Sequence, residues 1–94
     1  MNQNSLNQKV ELYDPHPGFG GAVVPLPKIM KDLADGLNGK VMSLETALDE
    51  ISLTAKKSGG YTRLVEEHEF IAFGYKEQSG REHFFRLIRY KKQN

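Results

Sequence analysis

Apolar positions in the middle of the chain recur at the spacing of an α-helix. One series begins after Pro27, which suits a first helical turn, and stops before Gly39; its members are Ile29, Met30, Leu33 and Leu37. A second series follows Ser43, a good N-cap, and ends at Gly59 or Gly60; its members are Leu44, Ala47, Leu48, Ile51 and Ala55. The pattern predicts two helices, or one helix with a kink.

After the second series the apolar spacing changes to that of β-strands. Residues 61–65 form a short candidate strand, and residues 70–76 and 81–92 predict a hairpin around residues 77–80. Gly80 suits the left-handed position of a type I turn with a bulge. Near the N-terminus, residues 9–13 also alternate, with Val10 and Leu12 on one side, which indicates a possible short edge strand.

A three-residue hairpin loop sets the register of the two strands, and the pattern of charged residues supports this register. It places four opposite-sign pairs across the hairpin: Glu77 with Arg81, Lys76 with Glu82, Glu69 with Arg89, and Glu67 with Lys91. It also places three apolar pairs across the hairpin: Phe73 with Phe85, Ile71 with Leu87, and Phe70 with Ile88. These pairs support the predicted hairpin and its register.

Both faces of this predicted hairpin are partly apolar. One face carries Ile71, Phe73, Tyr75, Phe85 and Leu87, and the other carries Phe70, Ala72, Phe84, Ile88 and Tyr90. A pair of helices covers one face only, so the Pro/Gly arm, a second copy of the chain or a target is expected to cover the second face, which indicates an interaction surface. The candidate protein-interface residues are Phe70, Phe84, Ile88, Tyr90, Val23 and Val24.

The predicted elements define an α+β fold, with two helices (or one kinked helix) packed on a small antiparallel sheet built around the C-terminal hairpin. Residues 1–8 are polar and predict a disordered N-terminus. Residues 9–27 hold all four prolines and predict a Pro/Gly-rich arm with the possible edge strand. Residues 28–94 form the single α+β domain.

Composition favours a small protein that gains stability by association. The chain has 94 residues, and 38% of them are hydrophobic, so its core is small. It has no cysteine, so no disulfide reinforces that core, and we expect a homodimer or a protein partner. The absence of cysteine, of a long apolar run and of an apolar signal core makes a cytoplasmic location the expectation, without membrane contact.

Charge along the chain is uneven, although the net charge is only +1. Residues 81–94 hold five basic residues against one acidic residue, a local balance of +4, whereas the remainder carries 8 basic and 11 acidic residues, or −3. Aromatic side chains lie among these cations, a mixture that nucleic-acid-binding strands use. The candidate nucleic-acid-binding residues are Arg86, Arg89, Tyr90, Lys91 and Lys92.

No pattern of residues indicates catalysis or a bound cofactor. His68 and His83 are expected on opposite faces of the hairpin, and His16 lies between two prolines, so no metal site is predicted. The glycines of residues 17–21 lack the Gly-Lys-Ser/Thr ending of a phosphate-binding loop. No serine or threonine lies in a nucleophile elbow or near a histidine in sequence. We therefore predict neither an enzyme nor a cofactor.

Two binding roles follow from these features. The first is a small non-enzymatic protein-binding regulatory or adaptor module that self-associates, and its basis is the second apolar face of the hairpin. The alternative is a nucleic-acid-binding protein that uses the basic and aromatic C-terminal strand for DNA or RNA. The first predicts mass above that of the monomer or a stable partner, and the second predicts binding that weakens steeply with salt.

Overall fold

The computed structural model describes residues 6–14 and 26–93, and these residues form a five-stranded antiparallel sheet with two helices packed against one face. The predicted α+β class and the C-terminal hairpin are confirmed. Most of the Pro/Gly-rich arm, including Val23 and Val24, lies outside the described residues. Residues 1–5 of the predicted disordered N-terminus also lie outside them.

The sheet contains strands from both ends of the described chain. Its strands are β1 (Lys9–Tyr13), β2 (Val41–Ser43), β3 (Gly60–Val65), β4 (Phe70–Lys76) and β5 (Glu82–Lys92), and their order is β2-β1-β5-β4-β3. Residues 9–13 are a strand, as predicted, but the edge position is wrong, because β1 lies between β2 and β5. The short strand β2 was not expected from the sequence.

Two separate helices form, α1 (Lys28–Leu37) and α2 (Leu44–Lys57). The chain leaves α1 through Gly39, whose φ is +86°, a value that favours glycine, and then continues into β2. Ser43 caps α2 as predicted, because the backbone N–H of Thr46 donates to its Oγ at 3.1 Å. Gly59 follows the end of α2 with a φ of +77°.

The core lies between the two helices and the sheet face toward them. α1 contributes Met30 and Leu37, and α2 contributes Leu44, Ala47 and Ile51. The sheet contributes Val10, Leu12, Ile71, Phe73, Leu87, Ile88 and Tyr90. No described helix packs on the opposite face of the sheet. The composition of that face differs from that of the face toward the helices.

The turn of the hairpin has the predicted form. Gly80 has a φ of +93°, and its N–H donates to the carbonyl oxygen of Glu77 at 2.9 Å. The N–H of Glu77 donates to the carbonyl oxygen of Arg81 at 2.8 Å, which closes the loop. Lys76 lies opposite Glu82 and Phe73 lies opposite Phe85, so the register predicted near the turn is confirmed.

Farther from the turn the predicted register is wrong because β5 contains a bulge. Ala72 lies opposite Arg86, but Ile71 lies opposite Ile88, so Leu87 is the extra residue. Leu87 and Ile88 are consecutive and both are buried. Two neighbours buried on one side would be impossible in a strand that alternates regularly, and the bulge removes that conflict.

The bulge also changes the charge pairs that were predicted beyond it. Arg89 lies opposite Phe70, not Glu69, and Lys91 lies opposite Glu11 of β1, not Glu67. Glu67 belongs to a single turn of 3₁₀ helix, Glu66–His68, which ends before β4 begins. Glu69 then turns the chain with a φ of +54°. The predicted pairs Glu69–Arg89 and Glu67–Lys91 are therefore wrong.

Candidate functional site

The face of the sheet away from the helices, here called the open face, combines aromatic and basic side chains. Residues opposite each other in neighbouring strands share a face, and outside the β5 bulge the positions of this face alternate with those that face the helices. Its aromatic residues are Tyr13, Tyr61, Phe70 and Phe84, and its basic residues include Arg63, Arg86, Arg89 and Lys91.

Two rings of the open face form a pair above a glycine. Tyr61, Gly74 and Phe84 lie side by side in β3, β4 and β5. The rings of Tyr61 and Phe84 meet edge to face, with centroids 5.7 Å apart. A Cβ at Gly74 would lie 2.9 Å from two Phe84 ring carbons, so the missing side chain makes room for the pair. Phe84 is 41% exposed and Tyr61 is 38% exposed.

Cations lie directly over two of the rings. The guanidinium carbon of Arg63 is 5.4 Å from the centroid of the Phe84 ring. Between β5 and its neighbour β1, the Lys91 ammonium is 5.0 Å from the centroid of the Tyr13 ring. Both distances fall within the range of cation–π attraction. The open face therefore presents cations and rings in contact, on strands β1, β3 and β5.

The charge of the open face is positive. Its six basic side chains are those of Lys9, Arg63, Lys76, Arg86, Arg89 and Lys91, and its two acidic side chains are those of Glu11 and Glu82. The balance of six and two is +4, against +1 for the whole chain. The sheet thus concentrates positive charge that the sequence spreads over several segments.

One acidic group of the open face lies next to the aromatic pair. The Tyr61 hydroxyl donates to Oε2 of Glu82 at 3.2 Å. Desolvation raises the pKa of Tyr61 above its ordinary value, as do this hydrogen bond and the Glu82 charge, while Arg63 opposes the shift. Tyr61 therefore remains a neutral ring and hydrogen-bond donor at neutral pH.

The predicted protein-interface residues separate into two groups. Phe84 is exposed and Phe70 is half-buried, and both lie on the open face. Ile88 and Tyr90 are 0% and 2% exposed and lie in the core, because the bulge turns them toward the helices. Their placement on the second face of the hairpin is therefore wrong.

Three of the predicted nucleic-acid-binding residues come together on the open face. They are Arg86, Arg89 and Lys91, all on β5. Tyr90 is buried and is not available for stacking. Lys92 lies opposite the buried Val10 of β1, so it is on the helix side of the sheet.

Sequence reasoning missed Tyr13, Tyr61 and Arg63 as members of this surface. Tyr13 and Tyr61 lie far from the basic C-terminal segment in sequence, and only the pairing of β1 and β3 brings them to it. A local signal did exist for β3, since Tyr61 and Arg63 alternate with Thr62 and Leu64. That alternation does not show which strand lies next to β3 in the sheet.

Of the described histidines, His83 lies apart from the open face, whereas His68 borders it at Phe70. His83 lies on the helix side, where it pairs with Glu77 and stacks on Tyr75 with ring centroids 5.0 Å apart. His68 stacks on Phe70 with centroids 6.4 Å apart. Among the described residues, no three His, Cys, Asp or Glu side chains are grouped as a metal site requires.

Within the part of the chain that the structure describes, every helix is too short or too polar to cross a membrane.

Comparisons with protein-family models, with curated proteins and with solved structures found no match to this chain. Function is therefore inferred from the geometry of the open face.

Proposed function

We propose that this protein binds single-stranded nucleic acid, without catalysis, on the open face of its sheet. The observation that carries the proposal is the exposed ring pair of Tyr61 and Phe84 with the Arg63 guanidinium over the Phe84 ring. Rings provide surfaces on which bases stack, and guanidinium groups attract phosphates. A base that stacks on the same face of Phe84 displaces the Arg63 guanidinium, which then reaches a phosphate, so the surface offers both contacts that a strand requires.

Stacking is favourable here because the rings are already positioned. Proteins that bind single strands gain about 1–3 kcal/mol from each base stacked on an aromatic ring. The edge-to-face contact with Tyr61, for which Gly74 leaves room, positions the Phe84 ring before any ligand arrives. Less conformational entropy is then lost on binding, which favours affinity.

The basic side chains supply the electrostatic part of the affinity. Arg63 on β3 and Arg86, Arg89 and Lys91 on β5 lie on the same face as the rings. Each phosphate contact on a single strand contributes about −0.7 to the slope of log affinity against log salt. Three or four contacts therefore predict a slope of about −2 to −3.

A single strand suits this surface better than a duplex. Exposed rings stack only on bases whose faces are free, and a duplex hides those faces within its own stack. A structural role for the rings, covering Gly74, explains their packing. It does not explain why the basic side chains are concentrated around them, which is the feature that favours a polyanionic ligand.

A self-associating protein-binding module remains a prediction, and so does a cytoplasmic location. The support for the module has decreased, because Ile88 and Tyr90 belong to the core and form no apolar patch with Phe70 and Phe84. The position of β3 at the edge of the sheet formed by the described residues is the feature that still favours it, because an edge strand can pair with another chain. Light scattering at micromolar concentration would separate a dimer from a monomer.

The test is a fluorescence anisotropy titration of a labelled single strand of mixed sequence, about 12 nucleotides long, and of the same sequence as a duplex. DNA and RNA forms are both measured, at several salt concentrations. We expect the single strand to bind more tightly, with the salt slope given above. Phe84→Ala should weaken binding by about 1 kcal/mol or more, and Arg63→Ala should also reduce the slope by about 0.7.

Matched variants control for changes in charge and in apolar surface. Arg81→Ala removes the same charge from the hairpin loop, and Leu53→Ala removes an exposed apolar side chain from α2. Both should bind as the wild type does. Absence of binding at low salt, or equal losses in Arg63→Ala and Arg81→Ala, would refute the proposed function.

A further inference from the structure

One acidic side chain, that of Glu82, lies beside the aromatic pair of the open face. Glu82 is two residues before Phe84 in β5, on the same face, and is exposed. Its Oε2 accepts the hydrogen bond from the Tyr61 hydroxyl. The carboxylate is thus held at the rim of the ring pair.

An acidic group at this place opposes phosphate binding, so its role in a nucleic-acid site must be a different one. A carboxylate has two oxygens and about four acceptor positions, of which Tyr61 uses one. The remaining positions can accept hydrogen bonds from a base that is stacked on Phe84 or Tyr61. Carboxylates recognise the exocyclic amino group of cytosine in this way.

Cytosine and uracil differ at position 4, where cytosine has an amino donor and uracil has a carbonyl acceptor. A carboxylate attracts the amino group and repels the carbonyl oxygen. We propose that Glu82 is a specificity-determining residue that makes the ring pair prefer cytosine to uracil. This inference rests on the proposed function, because it requires a base at the Tyr61–Phe84 pair.

Tyr61 acts in this proposal as a positioning residue. Its hydroxyl fixes one oxygen of Glu82, which orients the other oxygen, while its ring contributes to the stacking surface. Lys76 lies opposite Glu82 in β4, on the same face. Because the Tyr61 hydroxyl orients the Glu82 carboxylate, removal of this hydroxyl should reduce the preference between bases and leave stacking in place.

The experiment compares the affinities of labelled cytidine and uridine RNA homopolymers, about 12 nucleotides long, at pH near 7.5. One charge-assisted hydrogen bond on an exposed surface predicts that the wild type binds the cytidine strand about three- to tenfold more tightly. In Glu82→Gln the side-chain amide can donate to the uracil carbonyl, so the ratio should fall to about one or reverse. Tyr61→Phe should lower the ratio without weakening uridine binding.

Glu50→Gln is the matched control, because it removes the same charge from an exposed position on α2. It should keep the wild-type ratio. Equal affinities of the wild type for the two strands, or an unchanged ratio in Glu82→Gln, would overturn the role of Glu82 and leave the proposed function intact. Failure of both strands to bind would instead refute the proposed function and this inference with it.

Discussion

At the scale of single residues, Glu69 has an unusual backbone conformation. Its φ of +54° and ψ of +54° lie in the left-handed region, which glycine adopts more easily than any residue with a Cβ. It joins the 3₁₀ turn to β4, and its carbonyl oxygen accepts from the N–H of Tyr90 at 3.1 Å. The strain is retained because this turn sets the start of the ladder between β4 and β5.

Glu69→Gly should therefore stabilise the protein. Relief of the left-handed strain is worth roughly 1–2 kcal/mol and is partly offset by the greater entropy of glycine in the unfolded chain, so we expect a net gain of about 0.5–1 kcal/mol. Urea unfolding measures the change in free energy. Glu69→Ala removes the carboxylate but keeps the strain, and a glycine variant less stable than this control would contradict the explanation.

The ionisation of Tyr90, a core residue, makes the stability of the fold depend on pH in the alkaline range. Burial raises its pKa above the ordinary 10.0, and the negative charges of Glu69 and Glu66 raise it further. The folded state therefore favours the neutral phenol, and this stabilisation is fully present below the unfolded pKa of about 10. It is lost as pH rises through the higher folded pKa.

Tyr90→Phe removes that titration. As pH rises through and above the unfolded pKa of about 10, the free energy of unfolding should fall less steeply with pH in the variant than in the wild type, because the variant has no phenol at position 90 to ionise. Urea unfolding at closely spaced pH values gives the two slopes. Parallel curves across this range would show that Tyr90 ionises equally in the folded and unfolded chains.

At the scale of elements, the bulge in β5 determines what each face of the sheet presents. Before it, Phe84 and Arg86 alternate with the half-buried Phe85, and after it Arg89 and Lys91 alternate with the buried Tyr90. The extra residue keeps basic residues on one face and apolar residues on the other along the strand. The open face is therefore aromatic and basic, not broadly apolar.

The turn of this hairpin could be predicted from sequence, whereas the bulge could not be placed. The turn depends on local chemistry, chiefly the tolerance of Gly80 for a positive φ. The bulge depends on whether Leu87 and Ile88 gain more from burial than the ladder loses, which requires knowledge of the helices. A hint exists in the sequence, since Arg86 and Arg89 are three residues apart and break strict alternation.

Gly74 in β4 leaves room for the ring pair of Tyr61 and Phe84 because it has no side chain. Gly74→Ala should leave the fold largely intact, because the contacts at 2.9 Å involve the exposed ring of Phe84, which can rotate away. The edge-to-face contact should be lost, and the free energy of single-strand binding should weaken by about 1 kcal/mol, which is within the range that such a ring pair contributes. Ring-to-ring NOEs and the anisotropy titration measure the two effects. Loss of the NOEs with unchanged affinity would show that the ring pair is dispensable for binding.

At the scale of the whole molecule, the fold separates two chemistries on the two sides of one sheet. The side toward α1 and α2 holds the apolar core, and the other side holds rings and a charge balance of +4. The α+β class could be predicted from helical and strand periodicity in the sequence. The open face could not, because it joins residues of β1, β3 and β5 that no local pattern connects.

The most direct test of nucleic-acid binding on the open face is an NMR titration of the ¹⁵N-labelled protein with a single strand of mixed sequence, about 12 nucleotides long, at low salt. The predicted result is chemical-shift changes concentrated at Tyr61, Arg63, Phe84 and Arg86, with the exposed side of α1 and α2 unaffected. Raising the salt should reverse these changes. Changes confined to the helices, or no changes at all at low salt, would contradict the assignment of the open face as a nucleic-acid-binding surface.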